Sequence, residues 1–133
     1  MTMDLELRFR PSARAPAAAR QSLSRLGELL EPDLFENVKL LVTELVTNSI
    51  RHAGLSEEDE VAIRVAAEPN RVMVAVTDPG RGFPPGRDAP RIDPDSGWGL
   101  YLVNRIADRW GIADDGFTKV WFELRRPPGG DSG

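Results

Sequence analysis

Cysteine is absent from the chain, so disulfides, thiolate nucleophiles and Cys-ligated metals are excluded. A single histidine, His52, leaves no poly-His metal site and no Ser/His/Asp triad is implied. No apolar run approaches the roughly 20 residues of a membrane span, and none suits a secretory signal. A basic excess is missing too: 17 Lys and Arg against 21 Asp and Glu give a net charge of −4, which disfavours direct binding to nucleic acid or anionic membrane. The nucleotide signature G-x-x-x-x-G-K-[ST] does not occur, and Gly80-Arg81-Gly82 continues as Phe83-Pro84-Pro85-Gly86, which spoils the spacing of G-x-G-x-x-G.

What remains is 133 residues, 41% hydrophobic and 29% charged, the composition of one soluble globular domain. Glycine (12) and proline (11) are the conspicuous residues. Between Leu7 and Gly27 lie five arginines and no acid. Asp4 and Glu6 precede them, so this reads as an exposed basic helix face and not as a transit peptide. The expected location is cytoplasmic.

Polar and apolar residues alternate from Asp4 to Phe9, which predicts a half-buried strand. Helical spacing follows from Ala13 to Leu30, with Pro16 near the start. A second helix is expected from Pro32, with Leu34, Phe35, Val38, Leu41, Val42, Leu45, Val46, Ile50 and Ala53 as its apolar set and Gly54 as its stop. Val61, Ile63, Val65 and then Val72, Val74, Val76 alternate about a Pro69-Asn70 turn, predicting a hairpin. Residues 79 to 96 hold five prolines and three glycines and read as a long functional loop. A third helix is predicted from about Gly99 to Trp110, a short strand at Gly111 to Ala113, and a last strand from Thr118 to Arg125. Residues 1–126 form the expected domain, and 127–133 a disordered tail. Hairpins covered by helices on one face make an α+β two-layer sandwich.

Three segments carry chemistry. Glu44, Asn48 and His52 fall at i, i+4 and i+8, a polar stripe on an apolar helix. There Glu44 is placed to accept a proton, Asn48 to offer a neutral oxygen to Mg²⁺, and Arg51 to add a cation for phosphate. Asp78 ends a strand and is followed by Gly80 and Gly82, which let backbone approach a ligand. Gly97, Trp98 and Gly99 open a helix whose free N–H groups favour an anion. Taken singly, each segment reads equally well as an exposed helix face, a plain turn or a routine helix entry.

Together, Glu44-x-x-x-Asn48, Asp78-x-Gly80-x-Gly82 and Gly97-x-Gly99-Leu100 resemble the three boxes of the GHKL ATPases, in their order. Glu44-Leu45-Val46-Thr47-Asn48-Ser49-Ile50-Arg51-His52-Ala53, Ala107-Asp108-Arg109-Trp110-Gly111 and Val120-Trp121-Phe122-Glu123-Leu124 look like the anti-sigma-factor serine kinases, the RsbW/SpoIIAB-like branch. The resemblance spans about residues 5 to 125. It implies a Bergerat-type sandwich, a mixed, mostly antiparallel sheet covered on one face by three helices, that binds ATP and Mg²⁺.

By position the resemblance makes Glu44 the general base and Asn48 the Mg²⁺ ligand. Arg51 and His52 come to lie by the phosphates, and Asp78 on the adenine amino group. Gly80, Gly82, Gly97, Trp98, Gly99, Leu100 and Thr118 complete the ATP site. Residues 83 to 96 become a proline-rich lid whose flanking and internal arginines, Arg81, Arg87 and Arg91, face phosphates or a partner. Where the family often has two threonines near the adenine, this chain has Thr118-Lys119. The implied partners are a sigma factor and an anti-anti-sigma (STAS) protein, with a homodimer through the first strand and first helix. Two alternatives stand beside the kinase: a non-catalytic ATP-sensing module, and a free-standing histidine-kinase catalytic domain. The last is opposed by Glu44, where those kinases usually carry Asn.

Overall fold

A computed structural model describes residues 2–52, 56–79, 99–114 and 117–126. The predicted lid (83–96), the helix stop at Gly54 and the tail (127–133) lie outside them. Strand β1 (Met3–Phe9) is followed by helices α1 (Ala15–Ser22) and α2 (Pro32–His52), the hairpin β2 (Val61–Ala67) and β3 (Arg71–Asp78), helix α3 (Gly99–Ile106), and strands β4 (Arg109–Asp114) and β5 (Thr118–Arg125). One five-stranded sheet has the order β1-β2-β3-β5-β4. Every pairing among the described residues is antiparallel.

Register decides which side chains share a face, because successive residues of a strand point to opposite sides. The rows Leu5–Val65–Val74–Phe122–Trp110 and Leu7–Ile63–Val76–Val120–Ile112 point toward the helices. There Ile63, Val65, Val74, Val76 and Phe122 are buried against Ala15 and Ala19 of α1, Val38, Leu41, Val42, Leu45 and Val46 of α2, and Val103 of α3. The hairpin turn closes as expected, with the Glu68 N–H donating to the Arg71 carbonyl at 2.8 Å.

Two expectations need correction. The helix read as continuous to Leu30 becomes a 3-10 helix over Leu23–Glu28. A 3-10 winding aligns residues i and i+3, which puts both Leu23 and Leu26 fully inside the core. Gly27 fits closely there, since a Cβ would lie 2.9 Å from the Phe35 ring, which would have to shift. The third helix ends at Ile106, not at Trp110. Asp108 pulls the chain onto β5: its N–H donates to the Glu123 carbonyl at 2.9 Å, and its carboxylate accepts from the Arg125 N–H at 2.7 Å. Trp110 therefore stands in β4, opposite Phe122.

Past the end of β5, Arg126 ties the far end of the sheet to its neighbours. Its guanidinium donates to the Leu29 carbonyl (2.7 Å) and the Glu68 carbonyl (2.9 Å), and pairs with Glu31 at 3.3 Å. A backbone N–H bond to Glu31 and the Arg126 guanidinium hold the Glu31 carboxyl below the usual carboxylate range.

On the other face, Gly111 lies under Trp121, and a Cβ there would come within 2.7 Å of the indole nitrogen. Gly111→Ala must displace the ring, at a cost of about 1–3 kcal/mol. Thermal unfolding is expected to show a lower Tm; an unchanged Tm would mean the indole has room to move.

Candidate nucleotide site

Helix α2 runs across the sheet with its buried residues Leu34, Val38, Leu41, Val42, Leu45 and Val46 inward. Glu44 and Asn48 flank this stripe and are half-buried. The helix's threonines are already engaged. The Thr43 hydroxyl donates to the Lys39 carbonyl at 2.7 Å, and the Thr47 hydroxyl to the Thr43 carbonyl at 2.8 Å. Glu44 and Asn48 have no hydrogen-bond or ion-pair partner among the described residues. A half-buried carboxylate and amide without partners are available to an external ligand. Arg51 is exposed on the same side of the helix, two turns beyond Glu44. His52 closes α2, with its side chain outside the described residues.

Asp78 ends β3 and is only 4% exposed. It is an unusual position for an acid, because an unpaired buried carboxylate is costly; Asp78 is engaged in an interaction. In register directly opposite is Thr118, the first residue of β5. Both lie on the helix-facing side, at the end of the rows set out above. The Thr118 hydroxyl is buried and has no hydrogen-bond partner among the described residues. An orphaned buried hydroxyl beside a buried acid fits a ligand that presents both a donor and an acceptor edge, as adenine does.

Thr118→Val keeps the shape and removes only the unsatisfied hydroxyl. The free protein is expected to be as stable as before, or slightly more so. ATP affinity, read by calorimetric titration, is expected to fall by roughly 3- to 10-fold, the worth of one neutral hydrogen bond. Unchanged affinity would remove Thr118 from the site.

Gly99 is the first residue of α3, so the unpaired N–H groups of a helix start stand where the sequence expects an anion. Leu100 follows it, its side chain outside the described residues. Gly80, Gly82, Gly97 and Trp98 also lie outside them. The structure thus describes the carboxylate and amide on α2, the paired Asp78 and Thr118 at the sheet end, and the start of α3. No group of three or more His, Cys, Asp or Glu able to hold a metal occurs among the described residues.

Comparison with known proteins agrees with this fold. The model of the histidine kinase-like ATPase domain matches residues 9–124. The chain belongs to that family. A serine-protein kinase RsbW from Bacillus pumilus (strain SAFR-032) is 33% identical over 110 residues, 71% of this chain and 67% of that protein. The RsbW of Bacillus cereus (strain AH820) is 30% identical over 98 residues, 65% of this chain. The chain spans 61% of that relative's length. Among solved structures, the RsbU and RsbW domains of a Mycobacterium tuberculosis protein share the fold, with a TM-score of 0.67 at 20% identity over 95% of this chain and 34% of theirs. A blue-light activated histidine kinase of Erythrobacter litoralis gives a TM-score of 0.58 at 26% identity, covering 71% of this chain and 31% of that one. The antiparallel sheet with three helices is the histidine kinase-like ATPase fold, as expected from the sequence.

Sequence reasoning missed the outward face of the sheet. Its signal was present in the alternation: the outward positions of β2 and β3 include Ala62, Ala66, Met73, Ala75 and Thr77, where a solvated face usually carries charge. No helix of the described residues is long and apolar enough to cross a membrane.

Proposed function

We propose that this chain is an ATP-dependent serine-protein kinase of the anti-sigma type. In this reading it phosphorylates a serine of an anti-anti-sigma (STAS) protein and sequesters a sigma factor, in the cytoplasm. The observation that carries the proposal is the unpartnered Glu44 and Asn48 pair on one helix, with Asp78 and the orphaned Thr118 hydroxyl at the sheet end. The likeness to serine-protein kinases named RsbW supports it.

The residues fit ATP and Mg²⁺ in chemical type. Asp78 and Thr118 would hold the adenine edge, Asn48 the metal, and the start of α3 with Arg51 and His52 the phosphates. Gly80, Gly82, Gly97, Trp98, Gly99 and Leu100 would complete the contact. When bound, ATP·Mg²⁺ supplies the phosphoryl group and much of its charge neutralisation. The chain's own work is to position and to move one proton. Glu44 accepts the proton of the acceptor serine hydroxyl, so that the oxygen develops nucleophilic charge as it attacks. Backbone N–H groups at α3 stabilise negative charge without reorganising.

The test is incubation with labelled ATP, Mg²⁺ and a STAS-domain protein carrying an acceptor serine. Phosphoserine on that protein is expected. ATP binding without phosphoserine would replace the kinase with an ATP-sensing binding module, a reading to which Lys119, beside Thr118, lends some support.

A further inference from the structure

Three large apolar side chains stand exposed among the described residues: Leu29, Leu40 and Phe117. Leu29 belongs to the Arg126 clamp, and Phe117 adjoins Thr118. Leu40 is 41% exposed in the middle of α2, the helix that carries the candidate base. Leu40, Glu44 and Asn48 fall at i, i+4 and i+8, so they form one line along that helix, each about 6 Å from the next.

The surroundings of Leu40 have no charge to spare. Glu36, one turn before it, pairs with Lys39 at 2.8 Å, and the Lys39 ammonium also lies 4.4 Å over the Phe35 ring. Asn37 is neutral. The hydroxyl protons of Thr43 and Thr47 are committed to the Lys39 and Thr43 carbonyls, so these half-buried residues offer an incoming chain no donor. Positions 40, 43, 44 and 47 share one helix face. Glu44 is therefore set among one leucine and two threonines, with no second charge.

We infer that Leu40 selects the acceptor: it packs on an aliphatic side chain that neighbours the acceptor serine of the partner protein. This rests on the kinase reading. In the transfer, the bond from serine Oγ to the γ-phosphorus forms as the bond from that phosphorus to the ADP oxygen breaks. The proton goes to Glu44 and the electron pair leaves with ADP. Attacking and leaving oxygens stand roughly in line, so serine and ADP occupy opposite sides of the phosphoryl group. With Asn48 on the nucleotide side, the acceptor approaches over the turn before Glu44, which is the turn of Leu40. Helix side chains also lean toward the N-terminus, which carries the Glu44 carboxylate the same way.

A serine within reach of Glu44, about 2.6–3.2 Å, brings one of its neighbours over Leu40. In an extended acceptor the residue two places from the serine lies about 6.8 Å away on the same side. In a helical acceptor the residue four places away lies about 6 Å away. Both distances match the step from Glu44 to Leu40. A charged side chain there would lose water against Leu40 without gaining a partner, so the same patch that accepts an aliphatic neighbour rejects a charged one.

The experiment is steady-state phosphorylation of a STAS-domain protein with labelled ATP and Mg²⁺, by the wild type and by Leu40→Lys and Leu40→Ala. The acceptor is used unaltered and with Glu at each aliphatic position two or four residues from its phosphorylated serine. Leu40→Lys is expected to raise KM for the unaltered acceptor at least ~10-fold with kcat within about twofold, the pattern of binding lost before chemistry. Leu40→Ala removes the contact without adding charge and is expected to raise KM roughly 3- to 10-fold. One Glu acceptor is expected to be a poor substrate of the wild type and to regain at least ~10-fold in kcat/KM with Leu40→Lys, an exchange that a merely structural residue would not produce. Circular dichroism and calorimetric ATP titration check that each variant is folded and its nucleotide site intact. An unchanged KM in both variants, a loss confined to kcat, or no Glu acceptor rescued by Leu40→Lys would overturn the role of Leu40 alone. Absence of phosphoserine with the wild type would overturn the kinase reading and this inference with it.

Discussion

Glu44→Gln is expected to slow serine phosphorylation by about 10²- to 10⁴-fold, the usual contribution of a positioned general base. The substitution is close to isosteric, and Glu44 is half-buried with no partner among the described residues, so the fold has no bond to lose. ATP affinity is expected to change by less than about twofold, because in the proposed reading the carboxylate acts on the acceptor proton. The separation of the two readouts is the content of the prediction. A residue used only in the transition state lowers kcat and kcat/KM together and leaves nucleotide binding alone. The loss corresponds to about 2.7–5.5 kcal/mol of barrier. Wild-type phosphorylation rates in this variant would transfer the base's role to another group or to solvent. A matching fall in ATP affinity would make Glu44 a binding residue.

Asp78→Asn is expected to act on the opposite quantity. In the proposed reading the buried carboxylate at the end of β3 accepts from the adenine amino group, and hydrogen bonds to charged groups contribute about 1.5–3 kcal/mol. Loss of that bond corresponds to a fall in ATP affinity of roughly 10- to 100-fold. The asparagine amide also donates. It is therefore expected to tolerate a carbonyl where adenine has its amino group, and the ratio of ATP to GTP affinity should drop by more than ATP affinity alone reveals. Parallel calorimetric titrations with ATP and GTP check this, with Tm as a control because Asp78 is buried. Equal loss for both nucleotides would show that Asp78 shapes the pocket without reading the base.

The strands and the long helix were legible because the periodicities are clean. Alternating valines in β2 and β3 and the broad apolar stripe of α2 admit one reading each. The two misread boundaries lie where local pattern is ambiguous and distant pairing decides. Trp110 satisfies helical spacing with Val103, Ile106 and Ala107, and strand alternation with Ile112. Asp108 resolves it through bonds to β5, which no local window contains. The stretch from Leu23 to Glu28 keeps its leucines inside by winding tighter, with Gly27 close against the Phe35 ring.

The candidate site divides in the same way. Glu44 and Asn48 are four residues apart on one helix, so their alignment is readable from spacing. That Thr118 stands opposite Asp78 depends on register between strands 40 positions apart, and its unsatisfied hydroxyl becomes visible only after folding. The outward face was hidden for a different reason. Its residues are ordinary one by one, and only the cross-strand rows reveal that the uncharged ones form a continuous middle.

Strand β5 begins beside the proposed adenine position, at Thr118, and finishes near Arg126, which is clamped to the carbonyls of Leu29 and Glu68. Seven residue steps separate Thr118 from Arg125, about 23 Å along the strand. A fluorophore or affinity handle joined after Arg126 therefore leaves from the end of β5 remote from the proposed adenine position, on an anchored stem. The same label placed at Phe117, exposed and adjoining Thr118, would sit beside the proposed adenine position and report on its occupancy.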